Sequence, residues 1–267
     1  MPRLCANLKW LFTEVPFLDR FAAAAEAGFV AVEFASPYEF RAEELRARLH
    51  DNGLRQVLIN TPAGDPKQGA GSGFACLPGQ QPAFRDSLNR ALDYAAALDC
   101  GLVHVMAGIA PAGVAHDTLA SVYAANLAWA VERVGSAPIR LVLESINQRD
   151  QPGFFLRTQE QGAAVIEAIG RDRLGLQFDI YHCQVAQGDV TKRLEALLPL
   201  IAHIQIADPP GRNEPGSGEI AWEYVFGRID ALGYTGWVGC EYKPATTTTA
   251  GLAWRNRYGL EVGRGGG

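Results

Sequence analysis

The sequence lacks the features that mark membrane, secreted or nucleic-acid-binding proteins. No apolar stretch is both uncharged and long enough to span a bilayer, and the chain opens on no charged-then-apolar leader. The 267 residues carry a formal net charge of −5, which provides no overall basic field for nucleic acid or an anionic membrane. We therefore expect a cytoplasmic protein that binds neither nucleic acid nor membrane.

Two further absences concern cysteine pairing and phosphate binding. The five cysteines are odd in number, form no C-x-x-C pair and mostly lie in apolar runs, so buried free thiols are expected. No glycine-rich phosphate turn follows an early strand. Such a turn is typical of an open doubly wound sheet, and its absence counts against that fold.

Short apolar runs alternate with longer amphipathic stretches along the whole chain. This alternation predicts a parallel sheet, and eight strands with at least seven helices fit a single (β/α)8 TIM barrel. We assign residues 1–258 to the barrel and residues 259–267 to a disordered glycine-rich tail. The predicted strands are Leu4–Leu11, Ala31–Ala35, Gln56–Asn60, Leu102–Ala107, Ile139–Ser145, Leu174–Ile180, Ala202–Ala207 and Trp237–Tyr242.

Helical periodicity fills most of the intervals between these strands. Gly28 and Gly53 are predicted to end the first two helices, because glycine readily adopts the left-handed conformation found there. The stretch Thr61–Gln80, rich in glycine and proline, is predicted to be a functional loop. The predicted helices are Phe17–Ala27, Ala42–Asn52, Pro82–Leu98, Asp117–Val134, Gln159–Ile169, Val190–Leu200 and Trp222–Leu232, with Gly251–Tyr258 as a closing helix.

Four consecutive apolar runs in the second half each deliver one oxygen-bearing side chain near their end. These side chains are Glu144, Asp179, Gln205 and Glu241. The C-terminal ends of barrel strands converge on one mouth, so we expect the three carboxylates and the carboxamide to meet there. Burying three carboxylates together without a cation would be costly. Since all the donors are oxygens, the pattern favours one Mg²⁺ or Mn²⁺ ion over Zn²⁺.

Cationic and imidazole side chains follow three of these strands. His182, Arg212 and Lys243 are predicted to lie on loops beside the acidic residues and to bind a small anionic, oxygen-rich substrate. His104 and His203 precede or interrupt apolar strands, and we interpret both as histidines of the core or of the barrel bottom.

Several longer motifs carry a family resemblance that spans nearly the whole chain. The sequence resembles the hydroxypyruvate isomerase family within the superfamily of xylose isomerase-like barrels. The motifs include Ala6-Asn7-Leu8, Ala31-Val32-Glu33-Phe34, Val103-His104-Val105-Met106-Ala107-Gly108, Gln177-Phe178-Asp179 with His182, His203-Ile204-Gln205-Ile206-Ala207, and Gly236-Trp237-Val238-Gly239-Cys240-Glu241-Tyr242-Lys243-Pro244.

The resemblance implies a reaction and assigns roles to site residues. Glu144 and Glu241 match the proton donor and acceptor of the family, and the metal falls on Glu144, Asp179, Gln205 and Glu241. The implied reaction interconverts hydroxypyruvate and 2-hydroxy-3-oxopropanoate through an enediolate. The similarity to 2-oxo-tetronate isomerases is nearly as close. Related ketose 3-epimerases have histidine at the position of Gln205, which counts against an epimerase.

Two other function classes share the barrel. A nuclease acting on abasic DNA would need several histidine ligands for zinc and a basic groove, whereas this chain has five histidines in all and a negative charge. A non-catalytic sugar-binding barrel would leave the buried acids unexplained. The partner expected for the barrel is therefore a small hydroxy-oxo acid, and assembly into a homo-oligomer is compatible with the sequence.

Overall fold

Nine short parallel strands form the inner wall of a barrel. The computed structural model describes residues 2–65 and 71–260. The strands are β1 (Arg3–Asn7), β2 (Ala31–Glu33), β3 (Arg55–Gln56), β4 (Leu58–Asn60), β5 (Leu102–His104), β6 (Arg140–Glu144), β7 (Leu174–Asp179), β8 (Ile201–Ile206) and β9 (Trp237–Cys240). Their order around the sheet is β3-β2-β1-β9-β8-β7-β6-β5-β4, and every pairing is parallel.

The two ends of this sheet, β3 and β4, are two parts of one predicted strand. They are separated only by Val57, whose N–H donates to the carbonyl of Val32 at 2.9 Å. Beyond this break, the Phe34 N–H donates to the Leu58 carbonyl at 3.3 Å. The predicted third strand is therefore present in two short pieces, and β2 connects both of them. The predicted TIM barrel is confirmed.

Helices surround the strands, and the seven predicted between strands are present together with α6, which was not predicted. They are α1 (Arg20–Glu26), α2 (Ala42–Asp51), α3 (Gln81–Ala97), α4 (His116–Val134), α5 (Gln159–Ile169), α6 (Ile180–Ala186), α7 (Val190–Leu197), α8 (Trp222–Ala231), α9 (Thr248–Gly251) and α10 (Trp254–Arg257). Gly28 and Gly53 have φ angles of +86° and +62°, which confirms the predicted helix ends.

The first predicted strand is too long. β1 ends at Asn7, where the chain turns, and the Asn7 carbonyl accepts hydrogen bonds from the N–H groups of Trp10 and Leu11. Leu8 and Leu11 are nevertheless completely buried. Leu8 and Leu11 are apolar because a turn places them in the core. Periodicity alone does not distinguish such a turn from a continuation of the strand.

The chain after β7 also differs from the prediction. The sixth strand was expected to reach Ile180, with His182 on a loop, but β7 ends at Asp179 and α6 begins with the next residue. The Asp179 carboxylate caps α6, because its Oδ1 accepts from the N–H groups of Tyr181 at 2.7 Å and His182 at 3.2 Å. His182 therefore lies in the first turn of a helix, where its backbone is held.

The C-terminal region and the cysteines complete the comparison with the predictions. The predicted closing helix 251–258 is wrong, because two short helices, α9 and α10, are present there. The five cysteines are free and buried, as expected. Gly259 and Leu260 are described, with Leu260 buried, whereas the rest of the predicted tail, 261–267, lies outside the described residues. Among the residues that the structure describes, no helix has the length and apolarity needed to cross a membrane.

Candidate active site

The acidic side chains predicted at the barrel mouth do meet there. Glu144 is the last residue of β6, Asp179 is the last residue of β7, and Glu241 directly follows β9. Together with His182 on α6, each offers one ligand-type atom, and these atoms all lie within 4.8 Å of one another. Three carboxylates and an imidazole therefore share one small volume.

Two oxygens of this cluster have no hydrogen-bond partner among the described residues. They are Oε1 of Glu144 and Oδ2 of Asp179, and both atoms are buried. The other oxygen of Asp179 is occupied by capping α6, which fixes the carboxylate plane. Buried carboxylate oxygens without donors are costly unless a cation or substrate contacts them. The donor set thus fits a hard divalent cation.

The electrostatics of the three acids indicate a shortage of positive charge. Burial, followed by repulsion from Glu241 and Asp179, raises the pKa of Glu144 well above its ordinary value. Burial also raises the pKa of Asp179 and of Glu241, although the guanidinium of Arg212 opposes both shifts. When all three carboxyl groups are ionised, the guanidinium offsets one of the three negative charges, and one divalent ion would neutralise the other two.

Arg212 contacts two aromatic rings at the edge of this cluster. Its guanidinium carbon lies 4.8 Å from the ring centroids of both Trp10 and Tyr181. One of its nitrogens is 2.5 Å from Oε2 of Glu241 and 3.6 Å from Oδ2 of Asp179. The cation–π contacts with the two rings and the ion pair with Glu241 hold the guanidinium at the edge of the cluster, within reach of a carboxylate or a substrate oxygen.

The hydrogen bonds of His182 determine which ring nitrogen faces the acids. Asn147 uses its Oδ1 to accept from the N–H of Asp150, so its Nδ2 is the atom 2.6 Å from Nδ1 of His182. Nδ1 therefore accepts, and the proton of the neutral ring is on Nε2, which faces Asp179 and Glu144 at 3.5 and 3.9 Å. Burial lowers the pKa of His182 to about 3, so the neutral ring offers an N–H donor to the cluster.

Gln205, the fourth predicted ligand, lies beside Asp179 in the sheet. The two residues are register partners between β7 and β8, so their side chains point to the same side of the barrel wall. Its Oε1 accepts from Gln177 at 2.6 Å, and its Nε2 donates to Glu33 at 2.8 Å. The carboxamide is therefore oriented by two buried partners.

A cavity of about 550 Å³ opens above the cluster. All five side chains predicted to transfer protons or bind substrate line it: Glu144, Glu241, His182, Arg212 and Lys243. Lys243 is exposed at the rim, on the segment after β9. The structure thus brings these residues to one cavity, and their individual roles stay predictions.

Comparison with known proteins assigns the family. Residues 21–258 match the family of xylose isomerase-like TIM barrels. The chain belongs to this family. Within it, 2-oxo-tetronate isomerase of Cupriavidus necator is 47% identical over 258 residues, which cover 97% of this chain and 99% of that protein. Hydroxypyruvate isomerase of Escherichia coli is 43% identical and covers 97% of this chain and 100% of its own length.

A solved structure resembles this xylose isomerase-like barrel over the same extent. A crystal structure described as an AP endonuclease, family 2, from Brucella melitensis has a TM-score of 0.93 and 40% identity, and covers 97% of this chain and 99% of its own. The two sequence relatives above are isomerases, and this chain aligns with almost the full length of each. The protein is therefore an isomerase, and the family resemblance is confirmed.

Sequence reasoning missed several residues that this family member brings to its site. His104 ends β5, lines the cavity and has Nδ1 3.5 Å from Oε2 of Glu144, so its interpretation as a core or barrel-bottom histidine is incomplete. Asn7 ends β1 and donates to Oε1 of Glu241 at 3.3 Å, and Glu33 ends β2. The signal was available, because a polar side chain at the end of an apolar strand is the pattern that identified Glu144 and Asp179.

The loop that carries Arg212 is held by a buried carboxylate. Oδ2 of Asp208 accepts from the N–H groups of Gly216 at 2.9 Å and Gly218 at 2.8 Å, and its Oδ1 accepts from Ile220 at 3.1 Å. Arg212 itself has a φ of +56°, a conformation uncommon outside glycine. The three carboxylate contacts thus stabilise a loop whose backbone is strained beside the acids.

Removal of this carboxylate should destabilise the fold. We expect Asp208→Ala to lower the free energy of unfolding by about 3 kcal/mol, since even one hydrogen bond to a charged group contributes about 1.5–3 kcal/mol. Urea denaturation measures the change, and Asp172→Ala, at an exposed position, is the control. Equal stabilities for the two variants would show that the loop does not depend on Asp208.

Proposed function

We propose that this isomerase interconverts hydroxypyruvate and 2-hydroxy-3-oxopropanoate with the help of one divalent cation, Mg²⁺ or Mn²⁺. The observation that carries the proposal is the group of three carboxylates, of which Glu144 and Asp179 are buried and each have one unpartnered oxygen, while Glu241 is part-buried. The group lies under a cavity that is also lined by Arg212 and His182. The sequence identity of 43% with hydroxypyruvate isomerase of Escherichia coli supports the choice of substrate.

Glu144, Asp179, Gln205 and Glu241 would hold the cation. All of them offer oxygen, the donor atom preferred by Mg²⁺ and Mn²⁺. His182 is left out of this set, because the nitrogen that it turns towards the acids carries a proton. When bound, the cation supplies Lewis-acid stabilisation of negative charge on the oxygens of the substrate.

Arg212, His182 and Lys243 bind and orient the substrate in this proposal. Arg212 contributes its guanidinium to a carboxylate or oxyanion. The Nε2–H of His182 donates to a substrate oxygen, and this donor persists across the physiological pH range because the pKa of the ring is about 3. Lys243, exposed at the rim, contributes a positive charge that attracts an anionic acid into the cavity.

Glu144 and Glu241 transfer the proton between adjacent carbons. One carboxylate removes the proton from the hydroxyl-bearing carbon next to the ketone, which leaves an enediolate. The hydroxyl proton of that carbon passes to the former carbonyl oxygen, and the same carboxyl or the opposite one returns a proton to the former carbonyl carbon, so that the hydroxyl-bearing carbon becomes the new carbonyl. Their surroundings differ as acid and base roles require: Glu144 lies beside two neutral histidines, whereas Glu241 contacts the Arg212 guanidinium.

A second substrate, 2-oxo-tetronate, is favoured by the 47% identity with the enzyme of Cupriavidus necator. Both acids have a carboxylate, a ketone at the second carbon and a hydroxyl at the third carbon, so the same proton transfer applies. Proton NMR of each acid incubated with the metal-loaded protein separates the two substrates. Faster turnover of 2-oxo-tetronate would replace hydroxypyruvate in this proposal, and turnover of neither acid would refute both.

The proposed cation makes a further testable prediction. Protein freed of metal by chelation should bind one Mn²⁺, and its free energy of unfolding should rise by about 2.7 kcal/mol when free Mn²⁺ is a hundredfold above its Kd. Calorimetry and urea denaturation measure the two effects, and a crystal soaked in Mn²⁺ should show one anomalous peak between the four ligands. The absence of that peak would contradict the ligand assignment.

A further inference from the structure

A further acidic side chain, Glu33, lies beside the cluster and is completely buried. Its Oε1 accepts from Nδ2 of Asn7 at 2.9 Å and from Nε2 of Gln205 at 2.8 Å. Its Oε2 is 2.6 Å from Nε2 of His203. Burial raises the pKa of Glu33, but the interaction with His203 and the hydrogen bonds from Gln205 and Asn7 outweigh that effect and hold the pKa below its ordinary value. The carboxylate is thus a fully paired acceptor.

The fold is shaped to let this side chain cross the barrel. Glu33 starts on β2 and reaches Gln205 on β8, although β1 and β9 lie between these strands. The strand β9 has Gly239 beneath the path, and a Cβ at that position would overlap the Glu33 carboxylate. Gly239 is also the register partner of Gln205. The absence of a side chain at position 239 is therefore required by the contact between Glu33 and Gln205.

This contact decides which end of the Gln205 carboxamide is free. A carboxylate only accepts hydrogen bonds, so Glu33 fixes the NH₂ group of Gln205 towards itself. The oxygen then points the other way, where Gln177 supplies one donor and a second lone pair remains. Without Glu33, the carboxamide would be free to turn and present its NH₂ group, which repels a cation.

Asn7 is oriented by the same carboxylate. Its Oδ1 accepts from the N–H of Lys9 at 3.1 Å, so its NH₂ group is the end that lies between Glu33 and Glu241. Glu33 thereby also supports the position of Oε1 of Glu241. One buried acid is connected in this way to two of the four proposed ligands.

We propose that Glu33 is a positioning residue that makes Gln205 an oxygen ligand and holds Glu241 through Asn7. The proposal rests on the metal site proposed above and explains why that site includes a carboxamide. Replacement of a residue that orients a metal ligand through a hydrogen bond typically lowers the affinity for the metal about 10- to 100-fold. The measured quantity is therefore the affinity for Mn²⁺, not turnover.

Calorimetric titration with Mn²⁺ of the unmodified protein and three variants tests this role. Glu33→Leu removes the acceptor and should weaken Mn²⁺ binding by about 10- to 100-fold. Glu33→Gln should recover most of that loss, because its carbonyl oxygen still accepts from Gln205, and its NH₂ group can donate to Nε2 of a neutral His203 ring that carries its proton on Nδ1. The double variant Glu33→Leu with Gln205→Glu should also bind more tightly than Glu33→Leu alone, since a carboxylate has oxygen at both ends and needs no orientation.

Two outcomes of the titration would overturn the positioning role while leaving the metal site intact. One is an unchanged Mn²⁺ affinity in Glu33→Leu. The other is a loss of affinity that is reduced neither in Glu33→Gln nor by the added Gln205→Glu. Failure of the unmodified protein to bind Mn²⁺ would refute the metal site and this role together. If Glu33→Leu does not fold, Gly239→Ala displaces the carboxylate instead, with Gly227→Ala, where a Cβ meets nothing within 4 Å, as its matched control. Equal Mn²⁺ affinity for these two alanine variants would overturn the role.

Discussion

Replacement of either proposed proton-transfer residue by its amide should abolish most of the activity. Glu144→Gln and Glu241→Gln are each expected to lower kcat by at least about 10²-fold, the lower end for general acid–base catalysis. The amide keeps the shape and one carbonyl oxygen of the glutamate, so the fold and measurable Mn²⁺ binding should persist. Steady-state turnover with saturating Mn²⁺, together with calorimetry, separates the lost base from a lost ligand.

The control for these variants is Glu219→Gln, a change of the same kind at an exposed glutamate. It should leave kcat unchanged. Near-normal turnover by Glu144→Gln or Glu241→Gln with metal bound would show that the glutamate concerned is a ligand only. Loss of both turnover and Mn²⁺ binding would show that the ligand role alone explains the defect.

Arg212→Ala should act on substrate binding. Loss of a charge-assisted contact of about 1.5–3 kcal/mol would raise KM by roughly 10- to 150-fold. Lysine should not replace the arginine fully, because an ammonium group lacks the planar surface that Trp10 and Tyr181 contact. Measurement of KM and of Mn²⁺ affinity for both Arg212 variants tests this prediction.

Arg149→Ala is the matched control, because Arg149 also stacks on the ring of Tyr181 but stays outside the acidic cluster. It should leave KM close to that of the unmodified protein. An unchanged KM in Arg212→Ala, combined with weaker Mn²⁺ binding, would mean that Arg212 supports the metal ligands and not the substrate.

The half of the site on β6 to β9 was predictable, because in each of these strands an apolar run of several residues precedes or surrounds the polar side chain. The β7 segment is buried at all six positions and ends in a carboxylate, so the polar residue stands out against an apolar run. The strands β2 to β5 are shorter, with at most three residues each. Glu33 has the same signal as Glu144, a polar side chain at the end of an apolar strand, but a run of three residues makes that signal weak although the side chain is completely buried.

Other features depend on contacts that no local pattern encodes. The rings that contact Arg212 come from the turn after β1 and from α6, segments far apart in the sequence. The helix α6, by contrast, had a local signal, since Asp179 precedes it as a capping residue. That signal was masked because Ile180 and Tyr181 extend the apolar run of β7.

Exchange of the substrate's carbon-bound hydrogens in deuterated water is the most direct test of proton transfer by Glu144 and Glu241. The metal-loaded protein is incubated with hydroxypyruvate, and the carbon-bound hydrogens of substrate and product are followed by NMR, with the protein-free solution and Glu144→Gln and Glu241→Gln as references. We expect formation of 2-hydroxy-3-oxopropanoate and enzyme-dependent entry of deuterium at carbon, both strongly reduced in the two variants. Absence of both product and carbon-bound deuterium with hydroxypyruvate and with 2-oxo-tetronate would contradict proton transfer by these glutamates.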